Sequence, residues 1–316
     1  MTVVAFLLVP DVHLLDVAGP AQVFGTAAEL GLGDYRLRYL ADTPVVASAQ
    51  GLPLHAETGW TGLRLPADDL LLVPGWRDRA EPAVSPAVLG ALADHHAGGG
   101  TVASVCAGAF ALAEAGLLDG RRCTTHHDLQ ERLARRYPRA GVVRDVVHVV
   151  DGRVATSAGI ASGIDLALHL VAVRHGPAAA ARVARAMVVY ARRNGDEPQE
   201  SVMLRHRSHL SDVVHRVQDV IDVRFTQTLR LADLAAAEGV SERTLTRAFE
   251  QALGLTPLRY QQLLRLERAE HVIGRGGTLE AAARAAGFTD PRMLRRLRAR
   301  GTPSPGPARP RPRSGG

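Results

Sequence analysis

Two groups of side chains in this sequence have the types and spacing to do chemistry. The first gathers on Cys106. An apolar, β-branched run enters a small-x-Cys-x-small turn (Ser104, Val105, Cys106, Ala107, Gly108), and an Ala/Leu-rich helical pattern follows to Leu118. This is the sequence form of a nucleophile elbow, in which the residue between strand and helix is held in a strained turn with its side chain raised. A cysteine at a helix N-terminus meets unpaired N–H groups and the positive end of the helix dipole, so a thiolate is expected there. Cysteine-based acyl or hydration chemistry also needs a group that takes up and returns the proton, and a site for an oxyanion. Asp16, His126 and the backbone N–H of Ala107 are the groups on offer for these parts. Each residue also has a structural alternative: Cys106 packing in an elbow, His126 starting a helix with a satisfied hydrogen bond, and Asp16 capping the helix that follows it.

The second group is basic and repeats. LADLAAAEGVSERTLTRAF (Leu231 to Phe249) and LEAAARAAGFTDPRMLRRL (Leu279 to Leu297) align at an offset of 48 residues, pairing Ala235 with Ala283, Gly239 with Gly287, Val240 with Phe288, and Leu245 with Met293. Each copy reads as a short Ala-rich helix, a glycine turn, a buried hydrophobe, a capping residue and a second helix bearing arginines, which is a helix-turn-helix unit. Ser241 caps the first of these second helices, and Thr289 or Asp290 the other. With the apolar positions facing inward, Arg243, Thr244 and Arg247 project from the first recognition helix, and Arg292, Arg295 and Arg296 from the second. Arginine suits both phosphate contacts and bidentate pairing to guanine. With Ser241 and Asp290, these residues form the expected contact set for double-stranded DNA. A continuous helical pattern from Pro257 to Ile273 bridges the units, and a rigid bridge would let them enter successive major-groove segments about 34 Å apart.

The elements that must position these groups alternate at first. Strand patterns at Val3 to Val9, Tyr35 to Leu40, Leu70 to Val73, Thr101 to Val105 and Val142 to Val150 are interleaved with helical stretches. Pro10 to Gly19 reads as a loop with a helix opening near Pro20, and further helical patterns run from Pro86 to Ala97 and Ala178 to Arg192. Thr156 to Val173 reads as a glycine-punctuated turn running into a long helix. Such alternation predicts an α/β domain with a mostly parallel sheet, in which the Asp16 loop and the Cys106 elbow fall at carboxyl strand ends, where ligands bind. After a polar break at Asn194 to Gln199 all signals are helical. The expected organisation is an α/β domain over 1–195, a linker over 196–207, an all-α domain over 208–302 and a disordered Pro/Gly/Arg tail over 303–316.

Composition narrows the function classes. The chain has 316 residues, 46% of them hydrophobic, enough for two cores. All 38 basic residues are arginine, and residues 205–316 hold 20 of them against 11 acidic residues, whereas residues 1–204 are slightly acidic. The basic third is therefore the place for an anionic partner. No apolar run approaches the roughly 20 residues of a membrane span, and no signal-peptide pattern opens the sequence, so a cytoplasmic protein is expected. Cys106 and Cys123 are the only cysteines and lack a C-x-x-C spacing, which argues against a disulfide framework or a zinc site. Cys123 reads as a core residue, and no cofactor or metal is expected.

The second half resembles an AraC/XylS-type DNA-binding domain, through the tandem units and Gly254 to Tyr260 (GLTPLRY), which is similar to that family's G-x-[ST]-P-x-x-[YF] motif. The first half resembles the ThiJ/PfpI branch of the class I glutamine amidotransferase-like superfamily. The matching stretches are Leu14 to Phe24 (LLDVAGPAQVF), Ser104 to His126 and Ser157 to Val171. The two domains in this order are the arrangement of GlxA-type transcriptional regulators. The resemblance implies a flavodoxin-like α/β domain that senses a small-molecule effector or oxidant, or dimerises, followed by the DNA-binding domain. The expected protein is a homodimeric regulator and not an enzyme. ThiJ/PfpI-like enzymes place a carboxylate from the first strand-helix loop against the cysteine, a position that Asp16 matches, and isonitrile hydratases carry the same Asp-x-x-Gly-Pro loop. Hydratase or amidase activity is therefore the alternative. The chain departs from the pattern at His127, where the family usually has Trp, and at Leu297, where an aromatic is usual. It departs again after Arg300, where GTPSPGPARPRPRSGG replaces the closing G-x-S-P-x-x-Y-R segment.

Overall fold

A computed structural model describes residues 1–59, 65–77, 84–189, 195–196, 199, 202, 206–207, 209–274 and 276–299. The expected tail at 303–316 and most of the expected linker lie outside these residues, as do positions 190–192 of the helix expected over Ala178 to Arg192, which is shorter than expected: it ends at Ala186, and Val188, with φ of 55°, turns the chain away. The chain divides into two compact units, Met1–Gln199 and Glu200–Gly316.

The first unit is built on a seven-stranded sheet. The strands of the unit are β1 (Thr2–Leu7), β2 (Tyr35–Ala41), β3 (Val45–Ala47), β4 (Pro53–His55), β5 (Glu57–Thr58), β6 (Leu70–Val73), β7 (Thr101–Val105), β8 (Arg122–Cys123), β9 (Gly141–Val142), β10 (His148–Asp151) and β11 (Val154–Ser157). The main sheet has the order β10-β11-β7-β6-β1-β2-β5 and is parallel except for the β10–β11 hairpin. Alternation along β1 sends Val4 and Phe6 to one face and Ala5 and Leu7 to the other, and each face carries its own core. Helices α1 (Leu14–Glu29), α5 (Ser162–His175) and α6 (Pro177–Ala186) contribute to the first core. Helices α2 (Pro86–Ala97), α3 (Gly108–Glu114) and α4 (Gln130–Arg136) contribute to the second. The chain runs outward from β1 to β2 and then returns to β6 on the other side, so the sheet has a switch point between β1 and β6.

Three further elements differ from expectation. The helix expected near Pro20 begins at Leu14, so Asp16 lies in its first turn and not in a loop. Pro20 sits inside α1, where its missing N–H leaves the Asp16 carbonyl without its usual helical partner. The single strand expected from Val142 to Val150 is two short ones, β9 and β10, in different sheets. Val142 pairs beside Cys123, and Val149 beside Thr156, and between them the chain bends at Asp145, which has φ of 51°. The predicted turn at Thr156 also begins two residues late, at Ala158, since Thr156 and Ser157 complete β11.

Among the described residues the second unit is helical, with α7 (Asp212–Arg224), α8 (Leu231–Ala237), α9 (Glu242–Leu253), α10 (Pro257–Gly274), α11 (Leu279–Ala285) and α12 (Pro291–Ala299). It holds two separate cores. One gathers Val214, Leu234, Leu245, Phe249, Tyr260 and Leu264, and the other Leu266, Ala269, Phe288, Leu294 and Leu297. Helix α10 serves both and spans about 27 Å at 1.5 Å per residue. The GLTPLRY stretch explains how α9 joins it. Gly254 adopts the left-handed conformation that ends α9, the Thr256 hydroxyl accepts the Arg259 N–H at 3.2 Å, Pro257 opens α10, and buried Tyr260 donates to Asp222 at 2.7 Å.

Candidate functional site

Four consecutive strand ends meet around Cys106. Strand β1 leads to Asp16, β6 to Gly75, β7 to Cys106 itself and β11 to Gly159 and Ile160. Cys106 has φ of 54°, a left-handed conformation rare for a residue with a Cβ, so the strained elbow expected from the sequence is present. Glycines make the turn possible by closeness. A Cβ at Gly75 would lie 2.5 Å from Asp16 Oδ2 and 2.6 Å from Cys106 Cβ, and one at Gly159 would lie 2.9 Å from the sulfur. A Cβ at Gly108 would lie 2.1 Å from the Val73 carbonyl oxygen. The elbow is fastened by Thr125, whose hydroxyl donates to the Cys106 carbonyl at 2.7 Å.

The electrostatics of this cluster overturn one expectation. The thiol is pushed up to about 12, first by burial and then by the charge of Asp16, against the opposing N–H groups of Ala107 and Ile160 that point at the sulfur. Helix α3 is only seven residues long, and its dipole does not offset the loss of water. Cys106 is therefore a thiol at neutral pH, not the expected thiolate. Asp16 is fully buried, and its Oδ2 accepts the Gly75 N–H at 3.0 Å while Oδ1 finds no partner among the described residues. Burial raises its carboxyl to about 7.

Asp16, Cys106 and Ala107 thus form one cluster. His126 borders it through its neighbour Thr125 and caps the short 3-10 turn His127–Leu129, its ring accepting the Asp128 N–H at 3.3 Å. Among the described residues, one group of metal-capable side chains, His126, His127 and Asp128, has ligand atoms within 4.8 Å of one another. Cys123 is a buried free cysteine in the second core of the sheet. Gly75, Thr125, Gly159 and Ile160 were not singled out from the sequence. Of these, Gly75 follows Pro74 directly after β6, a dipeptide that marks a turn.

In the second unit both recognition helices start as predicted and present their basic faces. Gly239 and Gly287 have φ of 65° and 77°, and each ends its helix in the left-handed turn. The Ser241 hydroxyl accepts the Thr244 N–H at 3.1 Å, and the Asp290 carboxylate, not Thr289, accepts the Arg292 N–H at 2.8 Å. Ser241, Arg243, Thr244, Arg247, Asp290, Arg292, Arg295 and Arg296 are all exposed. Among the described residues Arg243, Arg247, Arg292 and Arg296 make no ion pair, while Arg295 lies 3.8 Å from Glu280.

The repeat alignment needs one correction. Leu245 is fully buried but Met293 is 44% exposed, and the equivalent of Leu245 is Leu294 at 0%. The two-residue turn Thr289-Asp290 before α12 adds one residue relative to Ser241 before α9, so the offset grows from 48 to 49 inside the recognition helix. Leu297, where an aromatic was expected, is buried in the second core.

Residues 2–173 match the DJ-1/PfpI family, and residues 234–302 match a helix-turn-helix domain. The chain is 30% identical over 307 residues to the HTH-type transcriptional regulator CdhR of Pseudomonas aeruginosa, covering 95% of this chain and 89% of that protein. It is 36% identical over 171 residues to the isonitrile hydratase of Pseudomonas putida, covering 53% of this chain and 69% of the relative. A solved AraC family transcriptional regulator from Pseudomonas putida matches with a TM-score of 0.54 at 25% identity, over 59% of this chain and 100% of that one. The chain belongs to the DJ-1/PfpI family, with a helix-turn-helix domain following the family's α/β fold.

Proposed function

We propose that this protein is a DNA-binding transcriptional regulator in which α9 and α12 read the operator and the DJ-1/PfpI domain is the input. The observation that carries this reading is the pair of capped recognition helices with exposed arginines, of which Arg243, Arg247, Arg292 and Arg296 make no ion pair among the described residues. If Arg243, Arg247, Arg292 and Arg296 each neutralise one phosphate, the logarithm of affinity falls against the logarithm of salt with a slope of roughly −4 from these residues alone. Titration of the full chain against duplex DNA from upstream of its own coding region, at several salt concentrations, tests this. Binding that is absent, or insensitive to salt, would overturn it.

The buried carboxyl of Asp16 with a partnerless oxygen, facing a protonated thiol, suits a pocket that binds a small hydrogen-bonding effector better than one whose cysteine attacks or is readily oxidised. Cys106→Ser or Asp16→Ala then changes the response to effector and leaves DNA affinity intact. Dimerisation through the first unit completes the reading, and sedimentation of the full chain tests it. One observation favours a second reading. Asp16 beside Cys106 places a proton acceptor at an elbow, in a domain similar to an isonitrile hydratase. Steady turnover of an isonitrile or an amide, abolished by Cys106→Ala, would establish it.

A further inference from the structure

The two helix-turn-helix units have separate apolar cores, so burial of shared hydrophobic surface does not by itself set one recognition helix relative to the other. Helix α10 runs through both units, and a second tie lies beside it. The chain leaving α7 presents three successive carbonyls, at Phe225, Thr226 and Gln227, of the kind a helix end leaves without partners. Two of them are taken by α10. Gln261 Nε2 donates to the Phe225 oxygen at 2.9 Å and to the Gln227 oxygen at 2.8 Å. Arg265 doubles both bonds, with Nε on Phe225 at 2.6 Å and Nη2 on Gln227 at 2.7 Å.

The middle carbonyl is turned the other way, onto the second helix-turn-helix unit. A Cβ at Gly287 would lie 2.0 Å from the Thr226 oxygen, so the turn between α11 and α12 is seated against this loop with no room for any side chain. Arg265 also reaches the second helix-turn-helix unit directly, its guanidinium 5.8 Å from the centre of the buried Phe288 ring. No carboxylate pairs with Arg265 among the described residues. An arginine half-buried without an acid is spent on a fork of two donors that backbone carbonyls accept, a geometry that lysine does not reproduce.

We propose that Arg265 and Gln261, with Gly287, form a clasp on the 225–227 loop that locks the two helix-turn-helix units into one rigid reader and so fixes the spacing of the two half-sites the protein accepts. These are positioning residues: none belongs to the predicted DNA-contact set. The inference rests on the DNA-binding reading above. Two reading heads gain on the order of a hundredfold or more in affinity when their separation matches the site, and lose it when geometry forbids both from engaging. A rigid joint makes that loss steep, and a loosened joint flattens it.

The test uses the full chain and duplexes it selects from a random-sequence library. Each selected duplex is remade with five base pairs inserted between its half-sites, which turns one half-site by about half a helical turn, and with one half-site scrambled. The wild-type chain loses about a hundredfold on insertion. Arg265→Leu, and independently Gln261→Leu, bind the scrambled single-site duplex as the wild type does, bind the native duplex more weakly, and lose less than about tenfold on insertion. Retention of the single-site affinity shows that the reading heads are folded. Arg265→Lys, which keeps the charge and lacks the fork, behaves as Arg265→Leu. Wild-type spacing discrimination in both leucine variants overturns the clasp. Failure of the wild-type chain to select any duplex overturns the DNA-binding reading instead.

Discussion

Replacing Asp16 with Asn isolates the buried carboxyl at the elbow. Asp16 is fully buried, one oxygen holds the Gly75 N–H at 3.0 Å, and its pKa is raised from 3.8 to about 7 by burial. A folded-state value above the unfolded one means that the native state holds the proton more tightly. The stability from this group is therefore fully present below about pH 4 and is lost as pH rises towards 7. About three pKa units at 1.36 kcal/mol each give a cost of about 4 kcal/mol above pH 7. Asn keeps an acceptor for Gly75 and cannot ionise. The variant is then expected to match the wild type near pH 4, to gain about 1.4 kcal/mol per pH unit above that, and to reach a gain of about 4 kcal/mol at pH 8. Urea unfolding followed by tryptophan fluorescence reads this in the first unit alone, because both tryptophans, Trp60 and Trp76, lie within Met1–Gln199. A gain that is the same at pH 5 and pH 8, or a loss at pH 8, would refute the reasoning. The same variant removes one of the charges that raise the Cys106 thiol, so alkylation of Cys106 in mildly alkaline buffer becomes faster.

Gly75→Ala drives a methyl group into Asp16 and Cys106 at 2.5 and 2.6 Å, and is expected to destabilise the first unit by about 1–3 kcal/mol in the same fluorescence assay. In the second unit the shifted register predicts a contrast that circular dichroism melts can read. Leu294→Ala costs about 2–5 kcal/mol, while Met293→Ala stays within about 0.5 kcal/mol, and equal effects would restore the constant offset. Ser241→Ala removes the acceptor for the Thr244 N–H, costs about 1 kcal/mol of local helix stability and weakens DNA binding without changing its salt slope.

Much of the architecture was legible because it rests on local rules. The repeat at Leu231 and Leu279 was readable since a helix-turn-helix needs a left-handed glycine, and Gly239 and Gly287 both adopt that conformation. Leu70 to Val73 and Thr101 to Val105 were readable as strands because a parallel strand buried on both faces is a continuous apolar run. The start of α1 was missed because Pro20 reads as a first-turn residue, and only packing of Val17, Ala21 and Phe24 against the sheet extends the helix upstream of it. The one-residue slip before α12 was missed because Leu294 and Met293 are both acceptable hydrophobes, and the choice between them is made by which side faces Ala269 and Phe288 in the second core.

By itself, the sequence determined that a cysteine sits on a strand-to-helix elbow and that two capped, arginine-bearing helices follow glycine turns. Residue type and near-neighbour spacing decide those features. Tertiary structure alone decided the protonation of that cysteine and the coupling of the two reading units. Asp16, Gly75 and Gly159 come from distant parts of the chain to exclude water from the sulfur, and the field at a buried group depends on what surrounds it, not on its own sequence neighbours. In the same way, the carbonyls of Phe225 and Gln227 have no partner until the fold lays Gln261 and Arg265 across them.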